Sequence, residues 1–284
     1  MPSDPTVENI NQFGSSVKEK EPMTPRQMAE AMLAEVHPLE DEVFKKFLEC
    51  NETFREAAET MLERKIPDGQ IISIQGEHVL FKNGRTIRLD NLRLTSIGMV
   101  NMEAQKKASK FPLKRHLYYW AASYMSVLQK GQDYGELQPA ISIVVYDGKQ
   151  GAKWRKEAKL AGSLVEDEDS LLTLVAINTA EWKNVPNTKA KELLALLRNG
   201  IYVDQKALKF EGIDVNSAFF NRMGRKLRLA SIDVRCAEIE QKGDMTMTAT
   251  LREAKNTRGL SHYSIMKSLS KIITSLFAVQ QAVL

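Results

Sequence analysis

Two isolated carboxylates stand in the stretch IRLDNLRLTSIGMVNMEAQKK, residues 87–107. Asp90 closes an apolar, strand-like run, and Glu103 is followed two residues later by Gln105. Between them lies a turn signal at Ser96-Ile97-Gly98. A turn there folds the two arms into an antiparallel pair and brings the position opposite Asp90 between Glu103 and Gln105, within cross-strand reach. MVNMEAQ has the two-residue period of a strand, so Asn101, Glu103 and Gln105 share one face while Val100, Met102 and Ala104 share the other. The polar side chains therefore converge.

Their surroundings are basic. Lys+Arg against Asp+Glu is 8 against 16 over residues 1–80, 15 against 6 over 81–160, 4 against 7 over 161–205 and 13 against 7 over 206–284. The overall charge of +4 thus conceals a block of +9 around the two acids. Basic charge around a few fixed acids suits a polyanionic partner, because lysines and arginines neutralise phosphates while the acids act locally. A solvated basic surface is the alternative reading of the same charge.

The elements around the site follow from periodicity. From Leu39 to about Lys65 the apolar positions Val43/Phe44, Phe47/Leu48, Phe54, Ala57/Ala58 and Met61/Leu62 recur at three-to-four spacing, which predicts one amphipathic helix ended by Pro67-Asp68-Gly69. QIISIQ, EHVLF and RTIRLDNLRL, separated by turn signals that include Asn83-Gly84, predict antiparallel strands. FPLKRHLYYWAASYMSVLQKG predicts a helix opened by Pro112 and ended by Gly131, with an apolar stripe of Leu113, Leu117, Trp120/Ala121, Tyr124 and Leu128. Ile141–Tyr146 is apolar throughout, as in a strand buried on both faces. EDEDSLLTLVAINTAEW reads as an acidic linker and a further strand, and TKAKELLALLRNG as a helix capped by Gly200.

At 284 residues the chain can bury a substantial core. With 43% hydrophobic and 27% charged residues it has a globular composition, and no apolar run approaches the roughly 20 residues of a membrane span. The expectation is therefore no membrane partner. Cys50 and Cys236 are far apart, and the N-terminus lacks the basic-then-apolar order of a secretory signal, so a cytoplasmic location is expected. Three regions are expected: a mobile, polar, proline-bearing arm over 1–38, a domain over 39–204, and an accessory region over 205–284. The last holds the basic patch NRMGRKLRLASIDVR and a helical tail from about Ser261 to Val283.

The order of helix, strands, polar hairpin, helix and buried strand resembles the α/β core of PD-(D/E)XK nucleases, a mixed sheet of the restriction-endonuclease-like kind. The segments from Leu39 to Tyr146 are similar to the Rpn family of recombination-promoting nucleases and transposases within it. DEVFKKFL resembles the start of that family's first helix, RLD its strand aspartate, NMEAQ its N-I-E-x-Q strand, and FPLKRHLYYWAASYMSVLQKGQDYGELQPAISI its following helix and strand. The resemblance implies a divalent-metal-dependent DNA endonuclease of low sequence specificity, acting in recombination, transposition or phage defence. Asp90, Glu103 and Gln105 would be its catalytic residues. Asp90, Glu103 and the Ala104 carbonyl would bind magnesium, with manganese or calcium as substitutes. Asp41 would stand behind the metal site, and Lys106, Lys107, Lys114, Arg115 and Tyr118 would contact DNA. A homo-oligomer is compatible with it.

Gln105 replaces the lysine of the general signature, as it does in the Rpn branch, and cannot supply a positive charge. The turn departs from the family in carrying apolar Ile97, and the Gly98–Glu103 arm is about one residue short. A DNA-binding or assembly protein without cleavage on the same fold is the second reading, and a protein-interaction module the third. Residue by residue, Asp90 also reads as a strand-end aspartate bonded to its own backbone, Glu103 as an exposed strand residue, and Asp41 as an acid favoured by its helix dipole. His37, His78, His116 and His262 lack ligand spacing and read as satisfied or exposed histidines.

Overall fold

A computed structural model describes residues 23–73, 77–80, 86–89, 91–106, 112–125, 133, 137–160, 172–201 and 204–256. The chain divides into two compact units, Pro25–Gly243 and a second composed of Met1–Thr24 with Asp244–Leu284. In the second unit the described residues are 23–24 and the helical 244–256.

The first unit begins with α1 (Pro25–Ala31), α2 (Asp41–Phe47) and α3 (Asn51–Leu62). Five short strands follow: β1 (Ile72–Ser73), β2 (Glu77–Leu80), β3 (Thr86–Arg88), β4 (Leu92–Thr95) and β5 (Gly98–Gln105). After α4 (Pro112–Met125) come β6 (Ala140–Tyr146), β7 (Arg155–Leu160), β8 (Leu172–Asn178), α5 (Thr188–Asn199), α6 (Gln205–Phe210) and α7 (Ala218–Asn256). Six strands form one mixed sheet in the order β1-β4-β5-β6-β8-β7, and β2 and β3 pair separately as a two-stranded ribbon. β5, β6 and β8 run parallel, whereas β4 and β7 run antiparallel to their neighbours.

Parallel strands need cover on both faces, which is why β5 and β6 bury nearly every residue. On one face Val100, Met102, Ile141, Ile143, Val145, Val175 and Ile177 join a single core with α2, α3, α5 and α6. α4 lies on the other, against β6. The edge strand β7 had no counterpart among the sequence expectations. Its Lys156, Glu157 and Lys159 are exposed, and charges of this kind on an edge discourage pairing with another chain.

Several boundaries differ from expectation. The helix predicted over 39–65 is two, broken at Leu48–Cys50, because Arg93 takes the carbonyls of Leu48 at 2.5 Å and Glu49 at 3.0 Å. The expected arm ends before Pro25: Ala29, Leu33 and Val36 are buried in the main core, while residues 1–22 lie outside the described residues. Beyond the expected boundary at 204/205, Leu208, Ile213, Phe219, Met223 and Leu227 enter that core. The basic patch lies on α7, and Ser261–Val283 and the acidic stretch at 166–169 lie outside the described residues. Among the described residues no helix is long and apolar enough to cross a membrane.

The β4–β5 hairpin turns in two residues, Ser96-Ile97, with Thr95 paired to Gly98 and Leu92 to Asn101. Gly98 has φ 107°, and a Cβ there would come within 2.1 Å of the Pro139 carbonyl oxygen, so the position demands glycine. Ile97 packs against the core, which accounts for the apolar residue in the turn. The tight turn also explains the short arm. The register is a residue tighter than a turn centred on Ile97 would give, and Asn91 accordingly accepts the Met102 N–H through its own carbonyl at 3.2 Å.

Candidate functional site

The alternation read from MVNMEAQ is present in β5. Ala104 packs against the core with Val100 and Met102, while Asn101 and Glu103 are buried on the opposite side, 5% and 4% exposed. Asn101 Nδ2 donates to Glu103 Oε1 at 3.0 Å. Glu103 Oε2 lies 3.3 Å from His116 Nδ1, and the far nitrogen of that ring, Nε2, meets Gln105 Nε2 at 3.0 Å. Four side chains thus form one line: Asn101, Glu103, His116, Gln105. It leaves Asn101 Oδ1 and Gln105 Oε1 buried without a hydrogen-bond partner.

His116 was expected to be a satisfied or exposed histidine, and it is the ring that α4 sets beneath itself at 2% exposure. The predicted stripe is correspondingly wrong at Leu117, which is 51% exposed, and at Ala121, also exposed. The side chains of Leu113, Trp120 and Tyr124, and residue 128, lie outside the described residues. The reason is the surface beneath the helix: a leucine laid on Glu103 would leave a carboxylate desolvated and unpaired, at a cost of several kcal/mol. The available signal was a lone polar ring among apolar and aromatic helix residues, beside a strand whose polar face needed cover.

Of the residues singled out from sequence, Glu103 and Gln105 are brought together through His116. Asp90 and Lys107 lie outside the described residues; the neighbours of Asp90, Leu89 and Asn91, are both buried. Asp41 is at the exposed start of α2, where its carboxylate accepts from Lys45 Nζ at 2.9 Å, and none of its described contacts reaches Glu103, Gln105 or His116. The adjoining Glu40 instead joins the end of β5, accepting from Lys106 at 3.0 Å and from Arg235 at 3.2 Å. Lys114, Arg115 and Tyr118 are on the exposed side of α4, and the Arg115 guanidinium lies 5.0 Å from the Tyr119 ring centre. Tyr146, paired in register with Gln105, is half-buried, and burial raises its hydroxyl pKa.

His37, near Lys106, accepts the Leu39 N–H at Nδ1. Burial, then the Lys106 charge, lowers its pKa against an upward pull from Glu40. The unfolded chain therefore binds the proton more tightly. The stability His37 contributes is present above about pH 6.5 and is lost as pH falls from there through the lowered folded value. Melting measured from pH 8 to pH 5 should decline over that window. His37→Asn, whose Oδ1 can accept the same N–H, should flatten the decline.

Glu103, Asn101 and Gln105 present carboxylate and amide oxygens, the donor type that magnesium and manganese prefer, and Asn101 Oδ1 and Gln105 Oε1 have no partner in the fold. Among the described residues no three His, Cys, Asp or Glu side chains form a complete metal cluster. The six-stranded mixed sheet with its helices defines an α/β protein of the PD-(D/E)XK nuclease-like fold. The chain belongs to the PD-(D/E)XK nuclease family transposases, whose family model matches residues 38–211. No curated protein and no solved structure matches it significantly.

Proposed function

We propose that this protein is a divalent-metal-dependent DNA endonuclease that hydrolyses phosphodiester bonds with little sequence preference. The observation that carries the reading is the buried Glu103, on the interior strand β5 of a PD-(D/E)XK family chain, whose polar face also bears two amide oxygens that lack partners. Asp90, adjacent in sequence to Asn91, would join Glu103 and the Ala104 carbonyl in holding the ion. Bound magnesium or manganese supplies Lewis-acid polarisation of the phosphoryl group and acidifies water. Gln105 would orient groups at the ion, as an amide can without adding charge.

Lys106, Lys107, Lys114, Arg115 and Tyr118 would line the path of the phosphate backbone. The exposed Arg225 and Arg228 of α7, which flank a groove of about 290 Å³ with Gln205 and Asn221, would extend it. Phosphate contacts position a duplex without reading its bases, which supports weak sequence preference. The free thiols of Cys50 and Cys236 fit a reducing, cytoplasmic setting.

The direct test is nicking of supercoiled plasmid with magnesium, manganese or chelator. Cleavage only with a divalent ion is expected. Its absence with every ion, together with retained DNA binding, would favour the non-cleaving DNA-binding reading. Affinity for duplex should fall steeply with salt, and Lys114→Glu with Arg115→Glu should flatten the log–log slope by about 0.9 for each phosphate that is no longer neutralised. An affinity independent of salt would remove the polyanion partner.

A further inference from the structure

The contacts of His116 admit one consistent polarity. A carboxylate only accepts hydrogen bonds, so the imidazole nitrogen 3.3 Å from Glu103 Oε2, Nδ1, carries the proton; a bare lone pair there would face the carboxylate oxygen repulsively. The contact has ion-pair distance without hydrogen-bond alignment, and at that distance the carboxylate still favours a proton over a lone pair on the facing nitrogen. With Nδ1 protonated, the neutral ring presents a lone pair at Nε2. The Gln105 atom 3.0 Å away is the amide nitrogen, which only donates. Turning the amide over would set its oxygen against that lone pair. Each assignment requires the other, and together they leave Gln105 Oε1 as the free, buried end of the amide. Asn101 obeys the same rule from the other side: its Nδ2 is committed to Glu103 Oε1, and its Oδ1 is left free.

We propose that His116 is a positioning residue which, as its Nδ1–H tautomer, holds the Gln105 amide so that its carbonyl oxygen rather than its NH2 group serves the candidate cation site. Gln105 is then an oxygen donor to a divalent ion and not a substitute for a lysine cation. A neutral amide oxygen adds a hard ligand without adding negative charge to a buried place. This inference rests on the metal-dependent reading, but its first readout does not.

That readout is the tautomer. Long-range proton–nitrogen NMR of the 15N-labelled full chain, without metal, should show His116 protonated at Nδ1; an Nε2–H tautomer overturns the proposal. The second readout is Mn2+ affinity by calorimetry in three folded variants. His116→Gln can place an amide oxygen near the position of Nε2 and still accept from Gln105. His116→Asn can keep a donor near the position of Nδ1 toward Glu103 but cannot reach Gln105. His116→Ala does neither. Alanine and asparagine should weaken Mn2+ binding by about 10- to 100-fold, the range for residues that orient metal ligands. Glutamine should return affinity toward wild type. Unchanged affinity in His116→Ala, or rescue by asparagine and not by glutamine, overturns it. If wild type binds no divalent ion, the functional reading falls, and the tautomer alone decides for or against the orientation of Gln105.

Discussion

Glu103→Gln is expected to lower plasmid cleavage by at least about 10²-fold, the scale on which a single transition-state-stabilising group is felt, while the protein folds as before. Glutamine keeps the shape of the side chain and can still accept from Asn101 Nδ2, 3.0 Å from the carboxylate, while its NH2 group then faces His116 Nδ1, which accepts it once the ring proton moves to Nε2. What it removes is the charge that would hold the ion. The described partners of this buried carboxylate are an amide and a histidine, with no lysine or arginine, so the charge is costly in the metal-free state. Melting in chelator should therefore be unchanged or rise. The rise that magnesium causes in wild type should vanish with the activity, because an ion bound only to the folded state stabilises by mass action. Asp90→Ala should lose cleavage in the same way. If Asp90 stands beside Glu103 as proposed, relief of carboxylate repulsion would again favour the metal-free fold. Glu103→Ala is the poorer test, since it strands the Asn101 and His116 donors in a buried place at about 1–3 kcal/mol each. Full cleavage by Glu103→Gln or by Asp90→Ala would remove that residue from the site.

Arg93→Met should destabilise the fold by about 3–5 kcal/mol, the range for breaking a buried charged network. Arg93 is 4% exposed on β4, and its guanidinium donates to the carbonyls of Leu48 and Glu49 and to Asn51 Oδ1 while lying 4.7 Å from the Phe54 ring centre. Those oxygens cluster where α2 ends and α3 begins. A cation there completes orphan carbonyls at the end of α2. Burial lowers the pKa of the guanidinium, against a smaller upward pull from Cys50 and Glu49. Methionine fills the volume but leaves the acceptors buried and unpaired. Arg93→Lys should recover part of the loss, because an ammonium cannot reach a fork of acceptors at once. Urea denaturation would show the effect as a lower midpoint at constant slope. A shift of less than about 1 kcal/mol would mean that the helix break survives without the arginine.

Local pattern was enough for the parts of this protein whose geometry is local. A period of two settled which residues of β5 face together, so Asn101, Glu103 and Gln105 were legible as one polar face. An unbroken apolar run marked β6, and Asn199-Gly200 marked the end of α5, where Gly200 takes φ 74°. The family motifs depend on the same spacings, so the fold class could be read with them. Tertiary structure decided what lies opposite each face. Apolar spacing continues through Leu48–Cys50, and only Arg93, 45 positions from Leu48, explains why the helix breaks there. Arg93 itself belonged to a basic block and carried no local sign of burial. His116 and Leu117 are neighbours on one helix, and the choice of which is buried came from the carboxylate on the facing strand. Nothing near Lys106 in sequence announced its contact with Glu40, 66 positions away. Periodicity records the direction of a side chain relative to its own backbone; the partner that satisfies its charge or hydrogen bonds is supplied by another part of the chain.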